Sequence, residues 1–200
     1  METPNKMPLI YLIRHGETQT RAESPLDPPL SPGGRRQAQA VAAELASTLA
    51  ATPILTSPVL RCRETAAFLS ERWKVQAAIE PRVSEVPMPQ QEGLSRKQWL
   101  QQALTATWEQ VEAQGERLQP GYAQHLALWR RQLYEAIAEP ATDTVIFSHY
   151  VSINALISHA TGCNTVTCFH PDYASVTVFE VADARIRVVQ RGRETQTRVS

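Results

Sequence analysis

A chain of 200 residues fits one domain, since a domain usually takes about 100–200 residues, and it can bury a core without staples. Twenty Lys and Arg balance twenty Asp and Glu, which excludes binding to nucleic acid or anionic membrane through bulk charge. Hydrophobic residues at 42% and charged residues at 20% describe an ordinary globule, and no apolar run approaches the ~20 residues of a membrane span.

The stretch Met1 to Pro8 holds no apolar segment of signal-peptide length. Cys62, Cys163 and Cys168 are odd in number and form no CxxC pair. They are therefore expected to be buried thiols in a reducing cytoplasm, not a disulfide framework or a zinc knuckle.

In chain order, Leu9 to Ile13 is a continuous apolar run, the pattern of a strand buried on both faces. Ser31-Pro32 then reads as an N-cap followed by proline in the first turn. Ala38, Val41, Ala42, Leu45 and Leu49 form the apolar stripe of that helix. Pro53 to Thr56 predicts a second strand, and Ser57-Pro58 another helix start, with Cys62, Thr65, Ala66, Leu69 and Trp73 facing inward. Val75 to Ile79 predicts a third strand. Ser95-Arg-Lys-Gln98 resembles a capping box, opening one helix through Leu100, Leu104, Trp108 and Val111 that ends near Gln114-Gly115. Tyr122, Leu126, Trp129, Leu133 and Ile137 mark a long helix stopped by Pro140, with its aromatic residues in the core. Thr144 to Phe147 is a strand, the helix through Ile153, Leu156, Ile157 and Ala160 ends at Gly162, and Ser175–Val181 and Arg185–Val189 predict a closing hairpin. The alternation implies a mostly parallel α/β sheet covered on both faces.

Ligands of such sheets bind beyond the carboxyl ends of the strands. Three strands run into Arg14-His15-Gly16, into Ser57 to Arg61 and into Ser148-His149, so two arginines and two histidines are expected to converge there. Guanidinium suits phosphate because its planar fork donates paired hydrogen bonds. A cation in the first turn of a helix is disfavoured by the dipole, which points Arg61 towards a ligand rather than the surface. His149 satisfied in the core is the alternative to His149 as a ligand group. His125, His159 and His170 read as structural or peripheral. No P-loop pattern occurs, no cysteine is followed six residues later by arginine, and no HExxH or dense Asp/His cluster supports a metal centre. Histidine is left as the best nucleophile.

Leu12-Ile-Arg-His-Gly-Glu-Thr18, Pro29 to Ala38, Thr56 to Ala66 and Phe147-Ser-His-Tyr150 resemble, in order, the blocks of the histidine phosphatase superfamily, the phosphoglycerate mutase-like fold. The resemblance implies a three-layer sandwich, a phosphohistidine formed on His15, and a clamp of Arg14, Arg61 and His149 on the phosphate oxygens. It also implies no cofactor and no metal. Glu85 matches the family's acid, although the aromatic-glycine-tryptophan continuation is missing; Glu92 and Glu17 are the substitutes. Arg21 stands where many members carry Asn, as an anion contact or a solvent-facing group. Tyr150 stands where many have Gly, lining the leaving-group pocket or packing. The expected protein is a single domain over residues 1–200, with 80–121 as a substrate-pocket insertion. It is expected to be a cytoplasmic, metal-independent phosphatase acting on a small phosphorylated substrate or a phosphoprotein. A mutase-type phosphoryl transfer and a non-catalytic phospho-ligand sensor are the alternatives. Oligomeric state is left open.

Overall fold

The computed structural model describes residues 7–19, 27–90, 95–182 and 185–194. Its strands are β1 (Leu9–Arg14), β2 (Ile54–Thr56), β3 (Ala78–Ile79), β4 (Thr144–Ser148), β5 (Val176–Ala182) and β6 (Arg185–Gln190). They form one sheet in the order β3-β2-β4-β1-β5-β6. The strands β3, β2, β4 and β1 run parallel, and β5 and β6 continue the sheet antiparallel. The helices are α1 (Pro32–Thr48), α2 (Leu60–Trp73), α3 (Arg96–Ala103), α4 (Trp108–Leu118), α5 (Tyr122–Ala138) and α6 (Tyr150–Thr161).

Alternate side chains of the central strands enter two separate cores, which is why their sequences are apolar throughout. Ile13, Val145 and Phe147 pack with Val41, Ala42 and Leu45 of α1 and Cys62, Ala66 and Leu69 of α2. Ile10, Leu12 and Ile146 face the larger core, which holds Trp99, Trp108, Tyr122, Trp129 and the apolar face of α6. The result is the three-layer sandwich that the residue pattern and the resemblance both implied.

Several local expectations are corrected. Ser31 caps α1 as predicted, accepting from the Gly34 N–H, but α2 begins at Leu60, after Val59, which supplies no side-chain cap. The Leu60 N–H is instead satisfied by Asp27 Oδ2 at 2.7 Å. The single helix expected from Ser95 to Gln114 is two. The Ser95–Gln98 capping box opens α3, and a second box, Thr107 with Gln110, opens α4 and interrupts the run. Gly115 lies inside α4 rather than after it, because the Tyr122 ring occupies the space a Cβ would need. The third strand shrinks to two exposed residues at the sheet edge. Cys163 and Cys168 form a disulfide across the loop after α6, with their Cα atoms 6.2 Å apart. The expectation of three buried thiols therefore holds for Cys62 alone. The loop's reversal brings together two cysteines whose spacing carries no such signal.

The order β2-β4-β1 sets the carboxyl ends of three parallel strands side by side. The Ser57 N–H donates to Phe147 O and the His15 N–H to Ser148 O, each at 3.0 Å, locking the three exits together. Between β3 and β4 the chain carries a 3-10 turn (Pro81–Val83) and then α3, α4 and α5. The segment around Glu85 is pinned by Ser148 Oγ to Val83 O, Trp129 Nε1 and Ser152 Oγ to Ser84 O, and Tyr122 Oη to Pro87 O, at 2.7–3.0 Å. The α5 aromatics are thus core residues that anchor a loop, not a ligand cage.

Candidate active site

At the end of β1, Arg14 is only 2% exposed. Its Nη1 donates to Pro171 O at 2.9 Å, and its guanidinium sits 3.8 Å from the centre of the Tyr173 ring and 5.1 Å from that of Tyr150. Its buried Nε has no hydrogen-bond partner. Burial lowers the Arg14 pKa, opposed by Tyr173, Tyr150, Glu85 and Asp172, yet a guanidinium stays charged in proteins. A buried cation with an unsatisfied donor is poised to receive an anion.

His15 follows. Its Nδ1 lies 2.8 Å from the Gly16 carbonyl, which can only accept, so the proton resides on Nδ1 and the lone pair on Nε2. Burial holds the His15 pKa well below the usual value, and repulsion from Arg61 and Arg14 adds to it, against the Gly16 bond. Gly16 makes this turn possible. A Cβ there would stand 2.7 Å from the Gly34 carbonyl oxygen, where the start of α1 crosses the chain. The Gly16 N–H donates to Thr65 Oγ1 at 3.0 Å, and that hydroxyl donates to Arg61 O at 2.6 Å, tying the turn to α2.

Arg61 Nη2 is 3.2 Å from His149 Nδ1. A guanidinium only donates, so Nδ1 accepts, and His149 Nε2–H donates to Ser57 Oγ at 2.8 Å. Because Asp27 caps α2, the Ser57 hydroxyl is free for this bond. Arg61 Nη1 also lies 3.6 Å from Asp27 Oδ1, whose side chain is 44% exposed, a loose pairing of small worth. His149 is fully buried, and burial, then Arg61, His15, Arg96 and Arg14, hold its pKa well below normal. Its ring centre is 5.5 Å from that of His15.

The cleft over these groups has a volume of about 170 Å³, and its walls include Arg14, His15, Arg61, Glu85 and Tyr150. His149 is not among its walls. It stands behind Arg61, so the structure sets its ring against the guanidinium and Ser57 rather than against the open cleft. Glu85 Oε1 accepts from the Val86 N–H at 3.0 Å and Oε2 from the Val151 N–H at 3.3 Å, which fixes its orientation. Tyr150 is 4% exposed. Its hydroxyl meets His170 Nδ1 at 2.8 Å, which gives His170 a supporting contact that its sequence position did not announce. Glu17 is exposed and bonded to Ser31 Oγ at 2.5 Å, away from the cleft walls. Arg21 and Glu92 lie outside the described residues.

Sequence reasoning missed Thr18, Arg96, Lys97, Leu100 and Tyr173 as cleft walls. Arg96 and Lys97 were legible only as the interior of a capping box, and Tyr173 carried no pattern. Among the described residues no cluster of three or more His, Cys, Asp or Glu is placed to hold a metal, and no helix is long and apolar enough to cross a membrane.

Both buried histidines have a folded-state pKa below the ~6.5 of an unfolded histidine. Their neutrality therefore contributes stability that is fully present above pH ~6.5 and is lost as pH falls from there towards the folded values, at up to about 1.4 kcal/mol per pH unit for each group. Thermal unfolding followed from pH 7.5 to 5 should show this decline. A midpoint that stays flat or rises would contradict neutral, buried imidazoles.

A family model, histidine phosphatase superfamily (branch 1), matches residues 10–193. Two curated relatives carry the name "Probable phosphoglycerate mutase GpmB". The one from Klebsiella pneumoniae is 33% identical over 165 residues, and the one from Cronobacter sakazakii is 31% identical over 167; each alignment spans 76% of this chain and 74% of the relative. Among solved structures, a phosphoserine phosphatase from Entamoeba histolytica superposes with a TM-score of 0.68 at 20% identity, over 95% of this chain and 98% of the other. A mycobacterial glucosyl-3-phosphoglycerate phosphatase gives 0.62 at 22% identity, over 94% and 100%. At these identities the two structures share the fold. With the family model spanning nearly the whole chain, three of the four motif blocks at strand ends and the fourth at the start of α1, this protein belongs to the histidine phosphatase superfamily, branch 1.

Proposed function

We propose that the protein is a phosphomonoesterase working through a phosphohistidine on His15, without a metal. The observation that carries this reading is the state of His15. It is neutral, its Nδ1 proton is committed to Gly16 O, its Nε2 lone pair is available, and Arg14 and Arg61 line the same cleft.

In the first step Nε2 attacks phosphorus and the bond to the ester oxygen breaks. Arg14 and Arg61 stabilise the charge on the non-bridging oxygens, and Glu85 gives a proton to the leaving oxygen. In the second step water attacks the phosphohistidine, Glu85 takes its proton, and the phosphorus–nitrogen bond breaks to give inorganic phosphate. His149 serves by holding Arg61, which fixes its tautomer, and Ser57 accepts from its Nε2–H. Residues 80–121, which carry Glu85 and α3, supply the wall for the leaving group within one domain spanning residues 1–200.

The likeness to the GpmB proteins favours a second reading, in which the phosphoryl group returns to the substrate. Incubation with 2- and 3-phosphoglycerate separates the two. Stoichiometric phosphate release supports hydrolysis, whereas isomer formation without release would make the protein a mutase. For Glu85→Gln, turnover of alkyl phosphates is expected to fall by about 10²–10⁴-fold. The loss should be smaller for p-nitrophenyl phosphate, whose leaving group needs no proton. Should Glu92→Gln cause that pattern and Glu85→Gln not, the acid is Glu92.

A further inference from the structure

Among the described residues, four cations, Arg14, Arg61, Arg96 and Lys97, line the cleft with one carboxylate, Glu85, in a chain whose formal charges cancel. A phosphomonoester brings between one and two negative charges at neutral pH, which Arg14 and Arg61 beside His15 already match. Arg96 and Lys97 are surplus to that need.

Their local setting does not account for them. Neither forms an ion pair with a carboxylate among the described residues. They occupy the first turn of α3, where the helix dipole disfavours cations, and no acidic residue accompanies them there. Ser95 and Gln98 cap this end of the helix with their side chains, and Arg96 and Lys97 line the cleft. Arg96 Nη2 donates to Val86 O at 3.3 Å, next to Glu85, which ties the half-buried guanidinium to the segment bearing the acid. Lys97 is exposed, and Leu100, one turn along α3, adds an apolar surface to the cleft.

We propose that the leaving group of the natural substrate carries a second anionic group, a carboxylate or a further phosphate, which Arg96 reads and Lys97 attracts. This deepens the phosphomonoesterase reading and rests on it. Arg96 is fixed at one end by Val86 O and keeps the rest of its fork for the anion, whereas Lys97 acts as a point charge at the mouth. A substrate with a neutral leaving group meets neither cation.

The test uses matched pairs differing by one anionic group, with phosphate release as the readout. 3-Phosphoglycerate against glycerol 3-phosphate probes a carboxylate, and fructose 1,6-bisphosphate against fructose 6-phosphate probes a second phosphate. The wild type is expected to prefer the more anionic member of at least one pair by about tenfold or more in kcat/KM. That preference should sit mainly in KM and shrink as salt rises from about 0.05 to 0.5 M. Arg96→Ala should bring the ratio close to one, Arg96→Lys should keep part of it, and Lys97→Ala, at an exposed position, should lower it by a smaller factor. The pair that shows the preference identifies the anion. A wild-type ratio near one in both pairs, ratios untouched by both alanine variants, or release from p-nitrophenyl phosphate alone would overturn the proposal. Release from none of these compounds would overturn the phosphomonoesterase reading beneath it.

Discussion

Replacing His15 with alanine is expected to abolish phosphate release, by at least about 10⁴-fold, the scale on which loss of a nucleophile acts. The other charged walls of the cleft, and the free cysteine near it, are poor substitutes among the described residues. Arg14, Arg61, Arg96 and Lys97 are cations, Glu85 is held by two backbone N–H groups, and Cys62 is fully buried with its thiol pKa pushed up by that burial. Wild-type protein quenched during turnover of a ³²P-labelled ester should carry acid-labile label on residue 15, and the variant should carry none. The variant should also tolerate acid better, because one of the two buried histidines with a depressed folded-state pKa is gone. Turnover at the wild-type rate, or label on another residue, would end the covalent mechanism proposed here.

The second large effect is expected for Arg61→Ala, about 10²–10³-fold in kcat, comparable to the loss of an oxyanion donor. Arg61→Lys should recover only part of it, since an ammonium cannot reproduce the fork that meets both His149 Nδ1 and an anion. A pH signature separates this role from a merely structural one. Arg61 is the second cause of the low His15 pKa, after burial, so removing its charge raises that pKa. The acid limb of kcat/KM should therefore move to higher pH in Arg61→Ala. An unchanged limb with the same loss of rate would assign Arg61 to packing instead.

The strands around the site were readable because burial on both faces leaves an unbroken apolar run, as in Leu9 to Ile13 and Thr144 to Phe147. The middle of the chain was not. A run of helix-compatible residues concealed the break at Thr107, since a capping box acts through side-chain hydrogen bonds that periodicity does not register. Gly115 looked like a terminator, yet its missing side chain makes room for Tyr122 from the next helix, a contact defined only by packing. The Cys163–Cys168 disulfide likewise depends on a chain reversal that spacing does not encode.

From sequence alone came the layered α/β architecture, the family, and the candidates Arg14, His15, Arg61, Glu85 and His149, because these follow from local periodicity and from the motif blocks. Only the tertiary structure decided how they are arranged. It sets the proton on His15 Nδ1, turns His149 towards Arg61 and Ser57, caps α2 with Asp27, and brings Arg96 and Lys97 into the same cleft. The His149 tautomer and the gathered charge arise from groups far apart in the chain meeting at one cleft, and no local pattern of residues carries that information.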